Sequence, residues 1–273
     1  MIKAVFLDFD GTVFSHCSVS IPASTYEAVR LLRNNGIKVF LCTGRAPAEF
    51  KDFDLSEFIL DGRILSNGQI IFDENDEIIF EKPIEGQPKD TIIDLFQEKR
   101  FPMYMVTKDD IYLNDINPTV LEVQDAVSSG IPPIKEYAGE EVYIASAFFN
   151  KQEDIDCIYE LQDLAEITWW HAGAVDIVPK GISKAQGIDE VISRFGIDLS
   201  ETLAIGDGEN DVEMLKHCGI GVAMGNAWPS TKKAADYVTD DIDEDASDSE
   251  QTQSEEPRRN QPQEELNLFD DEE

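Results

Sequence analysis

The segment Ile2–Val13, IKAVFLDFDGTV, decides the fold. Its near-continuous apolar run, closed by a glycine turn signal, is typical of a strand that is buried on both faces of a parallel sheet. The run ends in two carboxylates, Asp8 and Asp10, and an isolated ionised carboxylate is costly away from water. We therefore expect a cation at this strand end, and a divalent metal is the natural candidate.

Length and composition indicate a globular protein without a membrane span. The chain has 273 residues, 42% of them hydrophobic, which suits one large domain or two modest ones. No apolar stretch reaches about 18 residues, and the N-terminus lacks the basic-then-apolar layout of a signal peptide. The four cysteines form no CxxC pair, which favours reduced thiols in a cytoplasmic protein.

The net charge of −34 argues against nucleic acid as a partner, because binding a phosphate backbone needs basic surface. Residues 246–273 hold 10 acidic and 2 basic residues and few apolar ones. This composition cannot offset the entropy of ordering, and it predicts a disordered acidic tail. The rest of the chain is also acidic, so an anionic substrate needs a local cation in its binding site.

Strand and helix signals alternate at both ends of the chain, which predicts the α/β class. Residues 23–34 have apolar positions at helical spacing, residues 37–41 form a second apolar run, and residues 70–80 look like a hairpin. Towards the C-terminus, Ser183–Gln186 fits a capping box that opens a helix. A short strand is predicted at 202–205, immediately before a polar loop.

The middle of the chain, residues 82–177, reads as an inserted α+β segment. Prolines interrupt it repeatedly, and it does not continue the strand–helix alternation. The predicted elements are helices at 89–99 and near 151–164, and strands near 103–106, 111–113 and 143–149.

Four polar segments stand at or close to the predicted C-terminal strand ends. In an open parallel sheet these ends meet at one crevice, where ligands bind. Carboxylate oxygens suit Mg²⁺, whereas a hydroxyl, an ammonium, an amide and backbone N–H groups suit the oxygens of a phosphoryl group. The four segments are Asp8–Thr12, Thr43–Arg45, Lys184 and Asp207–Asp211.

The order DFDGT, TGR, a lone lysine and GDGEND resembles the haloacid dehalogenase (HAD) superfamily. The inserted segment and the string GDGENDVEMLKHCGIGVAMGNA are similar to Cof-type phosphatases with a C2-type cap. The resemblance covers roughly residues 1–245 and implies a Rossmann-like core with a parallel sheet, plus an inserted cap domain. The implied division is a discontinuous core at 1–81 and 178–245, a cap at 82–177, and the acidic tail at 246–273.

The resemblance implies a Mg²⁺-dependent phosphatase that acts on a small phosphorylated metabolite, such as a sugar phosphate or a phosphorylated cofactor. It makes Asp8 the nucleophile that becomes an aspartyl-phosphate, and Asp10 the general acid–base. The side chains of Asp8 and Asp207 and the backbone carbonyl of Asp10 would hold the metal ion.

The resemblance also implies how the phosphoryl group is held. Lys184 would neutralise the negative charge of Asp8 and of the transferring phosphoryl group, and Asn210 would fix the geometry of the site beside Lys184. Asp211 would orient Lys184 or a metal-bound water. The implied phosphate-binding set is Phe9 and Gly44, through their N–H groups, with Thr43, Lys184 and Asn210.

Three polar residues near these motifs have simpler interpretations than a catalytic role. Asn67, in the string SNG, is either a turn residue or a substrate contact, and we favour the turn. We interpret Arg45 as a surface or supporting residue. His16 follows the DFDGT loop and could contact substrate, but a lone histidine is usually structural, and we favour that interpretation.

Two other functions are compatible with the same motifs. One is a phosphomutase on the same scaffold, and the other is a non-catalytic sensor of phosphorylated metabolites that signals through the tail. Residues 265–269, ELNLF, resemble the bacterial sliding-clamp docking pentapeptide with Glu in place of the usual Gln. Such a match often arises by chance, so weak docking of the tail to a protein partner is an alternative and not the main prediction.

Overall fold

The computed structural model describes residues 1–244 except 52, 54, 56, 57, 127–129 and 150. The strands are β1 Ala4–Leu7, β2 Lys38–Cys42, β3 Gly62–Leu65, β4 Ile70–Asp73, β5 Ile78–Glu81, β6 Met103–Val106, β7 Ile111–Leu113, β8 Ile144–Phe148, β9 Ala165–His171, β10 Ala174–Pro179, β11 Thr202–Gly206, β12 Ile220–Ala223 and β13 Tyr237–Val238. The α-helices are α1 Ala23–Asn34, α2 Gly86–Glu98, α3 Pro118–Ala126, α4 Gln152–Tyr159, α5 Lys184–Phe195, α6 Val212–His217 and α7 Pro229–Ala234. The predicted tail, 246–273, lies outside the described residues.

The larger sheet has the strand order β13-β12-β11-β1-β2-β3-β4-β5. β1 lies at its centre and pairs in parallel with β2 and β11. All four residues of β1 are buried, as the apolar run predicts for a strand covered on both faces. The strands β4 and β5 extend the sheet antiparallel at one edge and form the predicted hairpin.

Helices cover both faces of this sheet. Val5 and Leu7 pack in one apolar cluster with Val29 of α1. The alternate residues Ala4 and Phe6 pack on the opposite face, in a cluster that includes residues of α5 and α6. This three-layer arrangement confirms the predicted α/β class with a parallel sheet.

The second sheet is antiparallel throughout, with the order β7-β6-β8-β10-β9. One face packs against α2 and α4, through residues such as Ile92 and Ile158. The other face packs against α3, through Val120 and Val123. Its strands and helices lie in the chain between β5 and α5, so the inserted α+β segment is confirmed. The domain boundaries at 81/82 and 177/178 stay predictions, and β10 runs across the second.

The elements predicted for the insertion are present, with three differences. The first is α3, which was not predicted. The helix predicted near 151–164 ends at Tyr159, because a series of turns follows it and places Leu161 in the apolar core. The hairpin of β9 and β10 was not predicted. Two β-prone runs separated by Ala172 and Gly173 are its sequence signal.

Core and insertion are joined by hydrogen bonds where the chain passes between them. The buried Gln69 donates from Nε2 to the carbonyl oxygens of Tyr143 at 2.6 Å and Lys82 at 3.3 Å. The Nζ of Lys82 donates to the carbonyl of Lys180 at 2.8 Å, which links the outgoing and returning connections. No helix among the described residues has the length and apolarity needed to span a bilayer.

Candidate active site

A cleft of about 370 Å³ opens at the C-terminal ends of β1, β2 and β11. Each of its lining residues belongs to the larger sheet or to the loops that leave it. Three of the four predicted segments line the cleft, and Lys184 lies buried directly against Asp8, so all four come together as predicted. The lining residues are Asp8, Asp10, Thr43, Gly44, Arg45, Glu49, Asp207, Gly208 and Asn210.

Lys184 connects two of the predicted carboxylates at the base of the cleft. Its Nζ donates to Oδ1 of Asp8 at 2.5 Å and to Oδ1 of Asp211 at 2.6 Å. All three side chains are buried. The other oxygen of Asp211 accepts the backbone N–H groups of Asp207 and Gly208 at 2.9 and 2.8 Å. Asp211 therefore fixes Lys184 and the loop after β11 at the same time.

This lysine stands at the first position of α5, where the helix dipole disfavours a positive charge. Ser183 caps the helix by accepting the N–H of Gln186, which confirms half of the predicted capping box. The side chain of Gln186 turns to Glu190 instead of returning to the cap. The two carboxylates that bind Lys184 compensate for its unfavourable position.

The pKa values in the site are shifted because three buried or half-buried carboxylates, those of Asp8, Asp207 and Asp211, lie near one ammonium group, that of Lys184. Burial raises the pKa of Asp8 to about 7, although the charge of Lys184 opposes the shift. Burial, reinforced by the charge of Asp211, raises the pKa of Asp207 to about 6. Burial by itself would lower the pKa of Lys184, but Asp8 and Asp211 outweigh it and raise that pKa above its usual value. The single positive charge of Lys184 therefore does not balance the negative charges of the three carboxylates.

The donor set fits a hard divalent cation. Asp8, Asp207 and Asp211 each offer a carboxylate oxygen, and these oxygens lie within 4.8 Å of one another. Both oxygens of Asp211 accept short hydrogen bonds, at 2.6 to 2.9 Å, whereas those of Asp207 accept only long ones, at 3.4 and 3.5 Å. Asp8 and Asp207 are therefore the side chains better placed to bind the ion. Such a set, completed by water and substrate oxygens, is typical of Mg²⁺. The observed contacts of Asp211 agree with the supporting role expected for it.

Asp10 lines the same cleft but is not part of this group of three carboxylates. Its side chain is clamped by Arg45, whose Nε and Nη2 donate to the two carboxylate oxygens at 2.7 Å each. The Nε2 of His16 lies 2.9 Å from Oδ1 of Asp10. The Arg45 guanidinium also stacks over the ring of Phe53, 4.9 Å from its centroid. The side chain of Asp10 is therefore held in a fixed orientation.

Three of the five predicted phosphate-binding groups, namely Phe9, Thr43 and Gly44, have an unpaired donor among the described residues, as such a role needs. Neither the N–H of Phe9 nor that of Gly44 donates to an acceptor among the residues that the structure describes. Thr43 is buried, and its Oγ1 accepts the N–H of Arg45 at 3.1 Å, which leaves the hydroxyl hydrogen for another acceptor. Asn210 is exposed at the opposite rim and donates to Asn67 at 3.1 Å.

Two glycines let the loops approach each other closely enough to form the site. Gly11 has φ +72°, and a Cβ there would lie 2.4 Å from Oδ2 of Asp207. A Cβ on Gly206 would lie 2.4 Å from the carboxyl carbon of Asp211. These positions explain why glycine follows Asp10 and precedes Asp207 in the sequence.

Sequence reasoning did not assign to the site five side chains that touch it: Arg45, Glu49, His16, Asn67 and Asn226. Arg45 was interpreted as a surface or supporting residue, and its place in the cleft, where it binds Asp10, agrees with the supporting role. Asn226 donates from Nδ2 to the carbonyl of Gly11 at 2.8 Å and accepts the N–H of Ile242 at 3.2 Å. The signal available for Arg45 was its position two residues after Thr43, at a strand end.

Comparison with known proteins agrees with this geometry. Residues 5–247 match the family described as haloacid dehalogenase-like hydrolase. YkrA of Bacillus subtilis is 34% identical over 246 residues, covering 89% of this chain and 94% of its own. The B. subtilis protein YcsE, named as a 5-amino-6-(5-phospho-D-ribitylamino)uracil phosphatase, is 24% identical over 88% of this chain and 90% of its own.

Solved structures give the same picture. BT1666 of Bacteroides thetaiotaomicron, described among phosphatases of the HAD superfamily, superposes with a TM-score of 0.79 and 31% identity, covering 89% of this chain and 91% of its own. BT4131, described as a HAD subclass IIB sugar phosphatase, gives a TM-score of 0.71 and 36% identity, covering 89% of this chain and 95% of its own.

The chain therefore belongs to the haloacid dehalogenase-like hydrolases. It is an enzyme of the phosphatase type in that superfamily, with a Cof-type core and a C2-type cap. The family predicted from the four motifs is confirmed.

Proposed function

We propose that this enzyme is a Mg²⁺-dependent phosphatase that hydrolyses a small phosphorylated metabolite through an aspartyl-phosphate on Asp8. The observation that carries the proposal is the buried Asp8–Lys184–Asp211 chain beside Asp207 and below an open cleft. A binding protein does not need a buried carboxylate held by a lysine beside a cation site and in front of its ligand, whereas a nucleophile does.

In the first half-reaction, a carboxylate oxygen of Asp8 attacks phosphorus, and the bond to the leaving oxygen breaks. Lys184 and Asp211 hold the attacking carboxylate in place. The N–H groups of Phe9 and Gly44 and the Thr43 hydroxyl are suited to the equatorial phosphoryl oxygens. A metal ion held by Asp8, Asp207 and the Asp10 carbonyl would supply compensating charge for the transferring group.

Asp10 would move the protons in both half-reactions. It would protonate the leaving oxygen first, and then remove a proton from the water that hydrolyses the aspartyl-phosphate. Its place in the cleft, outside the Asp8–Asp207–Asp211 group, supports this division of labour. The cap would close over the substrate, exclude bulk water and set specificity.

The substrate class follows from the same features and from the relatives. A cleft of about 370 Å³ suits a small metabolite, and the sugar phosphatase among the similar structures supports a sugar phosphate or a phosphorylated cofactor. The four cysteines are free thiols in the structure, which supports a reducing, cytoplasmic location. We retain weak docking of the tail to a protein partner only as a subsidiary proposal.

Phosphate release across a panel of phosphorylated sugars and cofactors, with Mg²⁺ and with a chelator, tests the proposal. We expect release of free phosphate from at least one member, lost on chelation and restored by Mg²⁺. A transferred phosphoryl group with little free phosphate would identify a phosphomutase instead. Binding without turnover across the whole panel would identify a sensor.

The nucleophile is tested by Asp8→Asn. We expect turnover to fall by about 10⁴-fold or more while the fold is retained, because the amide cannot attack phosphorus. Acid quench during turnover should leave phosphate on the peptide that contains Asp8 in the wild type only. Asp94→Asn, which changes an exposed carboxylate on α2, is the matched control and should have wild-type activity. Near-normal turnover by the Asp8 variant would remove Asp8 from this role.

A further inference from the structure

The turn Ser66–Gly68, which follows β3, has an uncommon backbone. Its three residues all have positive φ, at +50°, +53° and +102°. Positive φ is costly for residues other than glycine, so two of the three positions are strained. Strain of this kind persists only where the surroundings over-determine it, and it concentrates at functional sites.

Contacts on two sides hold the turn in this conformation. Towards the cleft, the N–H of Ser66 donates to the carbonyl of Arg45 and the N–H of Asn67 donates to the carbonyl of Thr43, both at 2.9 Å. Towards α5, Gly68 lies so close to the helix start that a Cβ there would be 2.5 Å from the carbonyl oxygen of Ser183. The turn is thus fixed between the loop after β2 and the helix that carries Lys184.

The consequence of this geometry is the placement of the Asn67 carboxamide. It lies over the α-carbon of Gly44, where a Cβ would be 3.3 Å from both its Nδ2 and its Oδ1. Its Oδ1 accepts the Nδ2 hydrogen of Asn210 at 3.1 Å, across 143 residues of sequence. Asn210 is exposed, so this contact is what fixes its carboxamide at the rim of the cleft.

We infer that Asn67 is a positioning residue for the phosphoryl group. From its strained turn, Asn67 holds the Gly44 backbone and the Asn210 side chain in fixed positions relative to each other. The inference rests on the proposed function, because Gly44 and Asn210 are its expected phosphate-binding groups. Asparagine suits the position because its short side chain tolerates the left-handed region while offering a carboxamide. Asn67 acts through its two neighbours and not by direct chemistry.

The decisive variant is Asn67→Gly. Glycine adopts positive φ without strain, so the backbone of the turn is retained while the carboxamide is lost. We expect the inhibition constant of inorganic phosphate, measured with Mg²⁺, to rise by about tenfold. The Tm should stay within about 2 °C of wild type. A merely structural role would instead lower Tm and leave phosphate affinity unchanged.

Lys99→Gly is the matched control. Lys99 also has positive φ, at +52°, but it ends α2 in the cap and does not line the cleft. The glycine variant should relieve comparable strain there without changing the inhibition constant of phosphate. Asn67→Gly with an inhibition constant within twofold of wild type would overturn the inference.

A double-mutant cycle with Asn210→Ala separates positioning from an independent contact. If Asn67 acts partly by fixing Asn210, then Asn67→Gly should weaken phosphate binding much less in the Asn210→Ala background than in wild type. Equal losses in the two backgrounds would contradict coupling between the two carboxamides. The Tm shift that inorganic phosphate produces with Mg²⁺ gives the same comparison without turnover. Absence of turnover in the wild type would therefore remove the proposed function without hiding the result for Asn67.

Discussion

Asp10 is held by two side chains although about a third of its side chain is exposed. Arg45 binds both of its oxygens, and stacking on Phe53 limits how the guanidinium can turn. Two parallel hydrogen bonds from one guanidinium fix the plane of the carboxylate. A single ammonium group, such as that of lysine, does not fix this plane. The direction in which Asp10 can exchange a proton is therefore set by Arg45.

Arg45→Lys tests this arrangement. We expect kcat to fall by about 10²-fold, because lysine keeps the charge but not the two-point grip, and Asp10 becomes misplaced. The loss should be smaller for 4-nitrophenyl phosphate than for an alkyl phosphate, since a good leaving group needs little protonation. Steady-state kinetics with both substrates measure the difference.

The control for this variant is Arg63→Lys. Arg63 also pairs with an aspartate, Asp76, and lies over a phenylalanine ring, that of Phe72, but it does not line the catalytic cleft. Its replacement should leave both substrates unaffected. Equal losses on the two substrates in Arg45→Lys would argue against a role in proton transfer.

Sequence reasoning at the residue scale worked where a polar residue directly follows an apolar strand. Asp8, Thr43 and Asp207 were placed correctly in the cleft on that basis. Asn67 and Asn226 were not assigned, because their contacts depend on loop conformation. Positive φ over three successive residues brings Asn67 to Gly44, and no simple spacing in the sequence encodes it.

At the scale of elements, the site depends on how closely the end of β11 approaches Asp211. Gly206 is the last residue of β11, and the Asp211 carboxylate lies where its side chain would be. That carboxylate binds Lys184 at the start of α5 and two N–H groups of its own loop. One small residue thus permits the strand, the loop and the helix to meet.

Gly206→Ala should separate these elements. The new methyl group would displace the buried Asp211, which would free Lys184 and misplace Asp8; overpacking alone typically costs about 1–3 kcal/mol. We expect a Tm several degrees lower, which calorimetry would measure, and loss of most activity. Gly130→Ala is the control, because a Cβ there meets no atom within 4 Å in the part of the chain that the structure describes. An active, equally stable Gly206 variant would show that Asp211 can move without consequence.

The core elements were more predictable than those of the cap. β1 and β2 are short apolar runs that end in polar motifs, so their type and order follow from periodicity. The hairpin of β9 and β10 pairs β-prone residues with a bulge, and its strands are only partly buried. Its apolar pattern is therefore mixed, and the two-residue separation at Ala172 and Gly173 was the one clear signal.

At the scale of the whole molecule, the chain is acidic while its reaction requires it to bind an anion. The net charge is −34, and the cations beside the cleft are Lys184, which is already paired with two carboxylates, and Arg45, which is paired with Asp10. A bound divalent ion would supply the positive charge that the site lacks. Metal binding, protonation and stability are consequently linked in this protein.

The linkage predicts a specific pH dependence. In the metal-free protein, the pKa of Asp8 is raised to about 7 and that of Asp207 to about 6, both above the ordinary value of 3.8. A raised pKa means that the folded state binds more protons than the unfolded state. The stability contributed by these two groups is therefore fully present below pH 3.8 and is lost as pH rises through 6 to 7.

Mg²⁺ should reverse that loss, because it binds the deprotonated carboxylates. Protons compete with the ion at low pH, so we expect its apparent affinity to be about tenfold weaker at pH 6 than at pH 8. The rise in Tm on adding Mg²⁺, measured by thermal unfolding from pH 5.5 to 8.5 against NaCl at the same ionic strength, should grow with pH over the interval in which the metal-free protein loses stability. A Mg²⁺ effect that is constant or shrinks as pH rises would mean that Asp8 and Asp207 do not bind the ion.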